Sequence, residues 1–244
     1  MTMLNALTAC LLGAALVCVA GLPASAQVTV YVSSGVDANR LGDLRNAQDG
    51  ALEFAQTALD VPAVATDVFP AVPALRADVA IGLDAAFNVG IEVGTASTGG
   101  RVDYQDRTGQ YRYDLVASRV YVGGFGEWVM HRSSAVTVAS TLRNRYSASR
   151  LDLDEVLVAS GQTLTRRDVT FRQVTFSLQP EVAVEIGLPG PLGVRLRAGW
   201  EQVLSLDAMT SDIEVDDLWV ATTSEPRSIN WSGPRLGVGL AFSR

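Results

Sequence analysis

The sequence contains 244 residues with a formal net charge of −7, and 48% of its residues are hydrophobic. This length suits one large all-β domain or two small domains. All 19 basic residues are arginine. The acidic excess argues against nucleic acid as a partner, so we expect no nucleic-acid binding.

The N-terminal segment has the features of a signal peptide. Residues 1–26 carry no charged side chain, and their apolar run ends at Leu22. Small residues follow at Ala24 and Ala26, as signal peptidase requires. We therefore predict cleavage after residue 26, which leaves residues 27–244 as one exported domain.

The mature domain has no cysteine, because Cys10 and Cys18 both lie in the predicted signal peptide. This excludes a disulfide, a thiolate nucleophile and a cysteine-based metal site. We expect no cofactor and no bound metal. No later stretch approaches the roughly 18 apolar residues that a membrane-spanning helix needs, so a membrane-spanning domain would have to be a closed barrel.

Alternation of apolar and polar residues with a period of two dominates the rest of the chain. In residues 75–84 the odd positions are apolar, whereas the even positions include Arg76 and Asp78. The pattern predicts eight strands, at residues 27–34, 75–84, 87–94, 110–122, 128–146, 174–188, 194–206 and 235–243. The fourth strand slips phase near Val116–Ala117, which we interpret as a β-bulge.

Short and long connections alternate between these strands. Tight turns are predicted at 84–87, 123–126 and 189–193. Long connections are predicted at 35–73, 98–109, 147–165 and 207–228. A barrel in an asymmetric membrane has this arrangement, with short periplasmic turns and long outer loops. Residues 43–59 are predicted to form a short helix within the first long connection.

The polar face of the strands is predicted to line the inside of the barrel, with the apolar face against lipid. Glycines recur on the polar face, where they make room for long side chains in a narrow eight-stranded barrel. The same face carries charges of both signs, which we predict to form a structural network of ion pairs. Its members are Glu92, Glu181, Glu185, Arg195, Arg197, Glu201 and Arg235. A narrow polar conduit is the alternative.

Aromatic residues cluster near the predicted strand ends, where rings favour a membrane interface. The predicted periplasmic girdle contains Phe87, Trp128 and Phe242. The predicted outer girdle contains Tyr111, Tyr113, Tyr146, Phe171 and Trp231.

With its signal peptide, eight alternating strands, tight turns and a last strand ending at Phe242, the chain resembles the small eight-stranded outer-membrane β-barrel proteins, of the kind that includes OmpX and the OmpA transmembrane domain. The resemblance covers nearly all of residues 27–244. It implies an all-β, antiparallel up-and-down transmembrane barrel inserted by the outer-membrane assembly machinery. It does not imply one activity, because family members include structural, adhesive and enzymatic barrels.

Two groups of side chains are candidates for chemistry. His131 and Ser133 are similar to the pair used by outer-membrane lipid A deacylases, but they fall at the periplasmic end and no acidic residue follows within the same predicted strand to orient the imidazole. The second group is a candidate cation-binding loop with an oxygen-rich row, for which a solvated acidic loop is the favoured interpretation. Its residues are Asp212, Glu214, Asp216 and Asp217.

These patterns predict a non-enzymatic outer-membrane protein with a structural role or a role in binding through its loops. Its expected partners are outer-membrane lipid, the assembly machinery and an extracellular or envelope partner that contacts the acidic loops. Three alternatives stay open: a soluble periplasmic lipocalin-like ligand binder, a small pore and a lipid-modifying barrel enzyme.

Overall fold

The computed structural model describes residues 27–39, 41–211, 226 and 228–243. Their strands are β1 (Val28–Asp37), β2 (Val64–Val68), β3 (Val72–Gly82), β4 (Phe87–Gln105), β5 (Gly109–Arg132), β6 (Val136–Ala159), β7 (Gln162–Gly187), β8 (Leu192–Leu206), β9 (Thr210–Ser211) and β10 (Gly233–Ser243). One helix, α1 (Gly42–Thr57), lies in the connection after β1 and matches the predicted helix closely. The predicted signal peptide lies outside the described residues.

Within these ranges, eight strands close into a ring in the order β1, β3, β4, β5, β6, β7, β8 and β10. Each strand is antiparallel to its neighbour along the ring, and β10 pairs with β1 to close it. The short strands β2 and β9 add to β4 and β7 beyond the ends of β3 and β8. This topology confirms the predicted eight-stranded, antiparallel up-and-down barrel.

A band of exposed apolar side chains surrounds the barrel and marks its membrane-spanning part. It includes Val32, Leu75, Ile91, Val122, Leu142, Val182, Leu196, Leu236 and Val238. Above the band, the outward positions of β6 and β7 become polar at Arg150 and Arg172. Among residues 27–39, 41–211, 226 and 228–243, no helix is long and apolar enough to cross a membrane.

The interior changes character at the same height. Inside the membrane band the inward side chains are mostly charged or polar. Above the band they are apolar, and Leu115, Leu151 and Phe171 are almost fully buried there. Residues Leu44, Ala47, Ala51 and Ala55 of α1 pack into this outer core. The apolar face of each long strand therefore points outward in the membrane and inward beyond it.

This inversion explains why several predicted strand boundaries are wrong. The predicted loops 98–109 and 147–165 are mainly strand, because β4, β5, β6 and β7 continue above the membrane. About ten residues of β6 follow its last membrane residue, which corresponds to about 30 Å along the strand. There is no register shift at Val116–Ala117, where only the polarity of the two faces changes. The irregularity in β5 lies instead between Val129 and His131.

The predicted tight turn at 123–126 is also wrong. These residues are part of β5, which is one strand of 24 residues paired with both β4 and β6. The turn lies at residues 133–135, between β5 and β6. The predicted turn at 84–87 is correct, and Asp84 caps it by accepting hydrogen bonds from the backbone N–H groups of Ala86 and Phe87 at 2.7 and 2.8 Å.

The predicted aromatic girdles are only partly correct. Phe87 and Trp128 lie on the outward-facing surface of the barrel at its periplasmic end. Their rings pack edge to face, with centroids 5.3 Å apart. Phe242 and Tyr146 are exposed on the outward-facing surface of the barrel wall. The other four members of the predicted outer girdle lie in the outer core instead, because the inversion turns apolar side chains inward. They are Tyr111, Tyr113, Phe171 and Trp231.

Candidate functional site: the lumen and its outer cap

Charged side chains of both signs fill the lumen within the membrane band. Among the described residues, this part of the lumen has seven arginines and seven carboxylates, so its formal charge is zero. The arginines are Arg76, Arg119, Arg143, Arg145, Arg195, Arg197 and Arg235. The carboxylates are Asp37, Asp78, Glu92, Glu127, Glu181, Glu185 and Glu201.

The middle of this network is built around Glu92 of β4. Arg145 donates from Nε to Oε1 at 2.6 Å and from Nη2 to Oε2 at 3.1 Å. Arg143 donates to Glu92 Oε2 at 3.1 Å and to Glu181 Oε1 at 3.2 Å. Arg76 of β3 donates to Glu181 Oε2 at 3.1 Å from the opposite wall. Since these contacts join β3, β4, β6 and β7, the network braces the barrel across its width.

The outer part of the network converges on Glu201 of β8. Arg119 and Arg145 each donate to its carboxylate at 2.9 Å, and Arg235 lies 2.6 Å from Oε2. Arg119 and Arg235 also contact Asp37 at the end of β1. This places β1, β5, β6, β8 and β10 in one continuous set of ion pairs.

The periplasmic part of the network is more open. Arg195 pairs with Glu127 of β5 and lies 3.5 Å from Glu185 of β7. A cavity of ≈190 Å³ opens here and is lined by Arg195, both of these carboxylates, Tyr31 and Arg132. Further into the lumen, the space beside Arg197 and Arg235 is only ≈30 Å³, about the volume of one water molecule.

Two inward aromatic rings of β5 separate the layers of arginines. The guanidinium of Arg143 lies 4.4 Å from the ring centroid of Phe125, and that of Arg145 lies 4.5 Å from Tyr121. Both distances are typical of cation–π contacts. The rings have room because Gly90 and Gly94 face them on β4, where an added Cβ would collide with each ring. The expectation that inward glycines accommodate larger side chains is correct here.

The outer core and α1 cap the charged lumen. Trp231 is fully buried, its indole N–H donates to Ser149 at 2.9 Å, and its ring lies 4.7 Å from the Arg119 guanidinium. Gln48 of α1 donates to the backbone carbonyl oxygens of Asp67 and Arg101. The cap is therefore anchored both to the wall and to the charged network beneath it.

A buried hydrogen bond lies further up in this cap. The Tyr111 hydroxyl donates to Glu155 Oε1 at 3.2 Å. Burial raises the pKa of Tyr111 well above its usual value, and the negative charge of Glu155 raises it further. Tyr111 therefore remains protonated and keeps donating to the carboxylate.

The structure places all seven predicted network residues in the lumen, and each has a partner of opposite charge or a polar partner there. Half of the network was not named in the prediction, although Arg76 and Asp78 lie on the strand face that was predicted to point inward. The additional members are Asp37, Arg76, Asp78, Arg119, Glu127, Arg143 and Arg145. Asp37 was assigned to an acidic outer loop, but it ends β1 and is buried. Arg143 and Arg145 lie on the strand face opposite the apolar row that ends at Leu142, and this spacing was the signal that could have identified them.

The His131 and Ser133 pair does not form a catalytic arrangement. Both side chains are exposed at the periplasmic end. The Ser133 hydroxyl donates to the backbone oxygen of Val136 at 3.1 Å and accepts from the Val136 N–H at 3.0 Å, so it closes the turn. The candidate cation-binding residues Asp212, Glu214, Asp216 and Asp217 lie outside the described residues. No metal-binding cluster of three or more suitable side chains occurs in the part of the chain that the structure describes.

Solved structures with a similar fold are outer-membrane proteins. The major outer membrane protein of Thermus thermophilus matches with a TM-score of 0.52 and 12% identity, over 90% of this chain and 100% of that one. The fold is that of a small outer-membrane β-barrel. Such barrels are proteins of the outer membrane, and the apolar band of this barrel has the chemistry that a lipid bilayer requires.

Two further solved structures match the barrel less closely. Ail, the attachment invasion locus protein of Yersinia pestis, solved with the heparin analogue sucrose octasulfate, gives a TM-score of 0.41 and 6% identity over 90% of this chain and 99% of that one. CarO of Acinetobacter baumannii gives a TM-score of 0.32 and 12% identity, over 74% of this chain and 94% of that one. No protein-family model matches the sequence, and no curated protein sequence matches it.

The distribution of apolar and charged side chains between the wall and the lumen also argues against the lipocalin-like alternative. A soluble ligand-binding barrel has an apolar cavity and a polar exterior. Here Leu236 is 64% exposed on the outer wall, whereas Arg143 is 1% exposed in the lumen. The faces are thus reversed relative to a soluble binder, as the sequence predicts.

Proposed function

We propose that the barrel is a non-enzymatic envelope protein that is closed to solutes and acts through its outer surface. One observation carries this proposal: the lumen is filled by a charge-balanced network of ion pairs and is capped by the apolar core under α1. A filled lumen and a lipid-covered wall leave the outer extension and its loops as the surface available to partners. Contact with outer-membrane lipid and insertion by the assembly machinery are part of the same proposal.

The closed lumen is tested by conductance measurements in planar bilayers. We expect no current above the background of protein-free bilayers. A double variant, Glu92→Ala with Arg145→Ala, removes one charge of each sign and two of the side chains that cross the lumen. If the wild-type barrel conducts and this variant conducts more, the current passes through the lumen and the chain is a small pore.

The absence of enzymatic activity is supported by the role of Ser133, whose hydroxyl is engaged in a turn. The test compares the lipid A of cells that produce the wild-type barrel with that of cells producing the His131→Ala and Ser133→Ala variants. We expect identical acylation in all three and in cells without the protein. Acylation that changes with the wild-type barrel and reverts in either variant would establish a lipid-modifying enzyme instead.

The outer surface is the proposed site of partner binding. Residues 212–225 contain five carboxylates and no basic residue, which is a net charge of −5. Such a segment suits a cationic partner, or an anionic one bridged by divalent cations. Replacing residues 212–225 with a Gly-Ser linker should leave barrel folding intact and abolish adhesion of the producing cells to cationic surfaces. A linker variant that adheres as well as the wild type would contradict this role.

A further inference from the structure

A side cavity of ≈520 Å³ lies at the outer edge of the membrane band. Its volume is within the range of about 300–1,000 Å³ usual for ligand pockets. The cavity lies between the start of α1, the outer ends of β1 and β3, and the β8–β10 pair, and it is separate from the charged lumen. Leu41, Phe69 and Val72 are buried in its wall, and Trp200 and Pro234 form its rim.

The position of the rim makes the cavity continuous with the lipid-facing wall. Pro234 pairs with Trp200 across the β10–β8 ladder, and the next outward residue of β10 is Leu236, which is 64% exposed in the apolar band. A hydrocarbon chain of the outer leaflet can therefore reach the apolar wall of the cavity without crossing a polar barrier. An interfacial Trp200 at this height is typical of the membrane boundary.

One buried hydrogen-bond donor in the cavity wall has no acceptor among the residues that the structure describes. Asn39 is 7% exposed, and its Oδ1 accepts a hydrogen bond from Arg235 Nη2 at 3.1 Å, which fixes the orientation of the amide. Its Nδ2 then has no hydrogen-bond acceptor among the described residues. A buried donor without an acceptor is costly, so this amide is suited to a ligand that supplies an oxygen.

Positive charge lies beside that donor. Arg45, in the first turn of α1, lines the cavity and is exposed, and no described residue forms an ion pair with its guanidinium. Leu41 precedes α1 and provides no side-chain cap, so the helix start keeps N–H groups that a ligand can bind, while the acidic Asp43 of the same turn accepts a hydrogen bond from Ser228 at 2.6 Å. An arginine, a free amide donor and a helix start favour an anionic oxygen ligand.

From this combination we infer that the cavity binds a phosphate-bearing acyl lipid of the outer leaflet. Its phosphate accepts hydrogen bonds from Asn39 Nδ2 and Arg45, and an acyl chain lies against Leu41, Phe69 and Trp200. This inference rests on the proposed contact with outer-membrane lipid, but not on a closed lumen or on a role for residues 212–225, because none of the residues of the site belongs to either.

The test is native mass spectrometry of the folded barrel in detergent, titrated with phosphatidylglycerol or with diacylglycerol of the same acyl chains, which lacks the phosphate. We expect phosphatidylglycerol to bind more tightly, by a factor on the order of ten, as expected for a hydrogen bond to a charged group. Arg45→Ala should clearly reduce this preference for phosphatidylglycerol. Arg107→Ala removes the same charge from the exposed β4–β5 turn and should change nothing.

Two further measurements separate the remaining explanations. Asn39→Asp keeps an acceptor for Arg235 but lacks the Nδ2 donor, and it should also weaken phosphatidylglycerol binding. Arg45→Ala alone decides the matter if this buried variant fails to fold, because Arg45 is exposed. Excess inorganic phosphate should not displace the lipid, and full displacement would mean that the site takes free phosphate. Equal binding of the two lipids, or equal losses for Arg45→Ala and Arg107→Ala, would overturn the inference.

Discussion

Arg145 of β6 binds Glu92 of β4 through two hydrogen bonds that pass over Gly123 of β5. The three residues lie in one row of the barrel, since Glu92 is paired with Gly123 and Gly123 with Arg145. The contacts measure 2.6 and 3.1 Å. Two strands that are not neighbours are thus joined because the strand between them presents no side chain at this position.

Gly123 is therefore predicted to be essential for packing of the lumen. In Gly123→Ala the new Cβ would collide with the backbone oxygen of Asn144 and lie 3.2 Å from Glu92 Oε1. We expect a loss of about 1–3 kcal/mol in the free energy of unfolding. Unfolding in denaturant, followed by the shift between folded and unfolded bands on a detergent gel, measures it.

The neighbouring glycine provides the control for this prediction. Gly124 faces outward, and its Cβ would lie 3.1 Å from the Asn144 side-chain oxygen and at an ordinary contact distance of 3.7 Å from the Gly90 backbone oxygen. Gly124→Ala should change the free energy of unfolding by less than about 0.5 kcal/mol. If both variants lose the same stability, the cost comes from the β5 backbone and not from the row that joins Arg145 to Glu92.

The same row explains both the success and the failure of sequence reasoning. A period of two in residues such as Val194–Leu196 is a local property, and it correctly predicts strands, an outward apolar face and a lumen with charges. Gly123 to Gly126 have the composition of a turn, and nothing local shows that Arg145 must pass over them. The inward glycine is determined by a residue 22 positions away in the sequence.

The outer extension, in which β4 to β7 continue above the membrane, was not predicted for a related reason. The local patterns around Leu115 and Leu151 do not show which face of a strand is in contact with water. The interior becomes apolar there because α1 fills it, and the exterior becomes polar because the lipid ends. Both depend on the height of a residue in the membrane, which only the closed barrel defines.

Breaking the Arg145–Glu92 pair should be more harmful than removing it whole. Glu92→Gln removes a carboxylate that Arg143 and Arg145 share and leaves the buried network with one uncompensated positive charge, so we expect a cost of about 3–5 kcal/mol. Glu92→Gln combined with Arg145→Gln restores the charge balance. The double variant should therefore lose clearly less stability than the sum of the two single variants. Unfolding of all four proteins in one detergent measures this cycle, and strict additivity would contradict a coupled network.

The apolar band should not tolerate a charge on its outer surface. Ile91 is 58% exposed in the middle of the band, so Ile91→Arg should cost about 2–4 kcal/mol when the barrel is folded in lipid vesicles. Thr163 is exposed near the tip of the β6–β7 hairpin. The matched change Thr163→Arg should have an effect of less than about 0.5 kcal/mol. Equal effects at the two positions would place the lipid boundary elsewhere on the wall.

Trp231 should be the side chain on which the outer cap most depends. It is fully buried, donates to Ser149, and contacts Arg119, which itself binds Glu201 in the charged network. Trp231→Ala removes the largest side chain at the boundary between the apolar core and the charged lumen. We expect a loss of about 3–5 kcal/mol in the free energy of unfolding from the cavity that it leaves.

Trp128→Ala, at a ring that is 63% exposed on the outward-facing surface of the barrel, should cost less. Protease sensitivity of α1 gives a second measurement: it should increase in Trp231→Ala and not in Trp128→Ala, since only Trp231 belongs to the core under the helix. If Trp231→Ala unfolds with wild-type stability and α1 stays protected, the cap is held by other contacts and the proposed closure of the lumen loses its outer support.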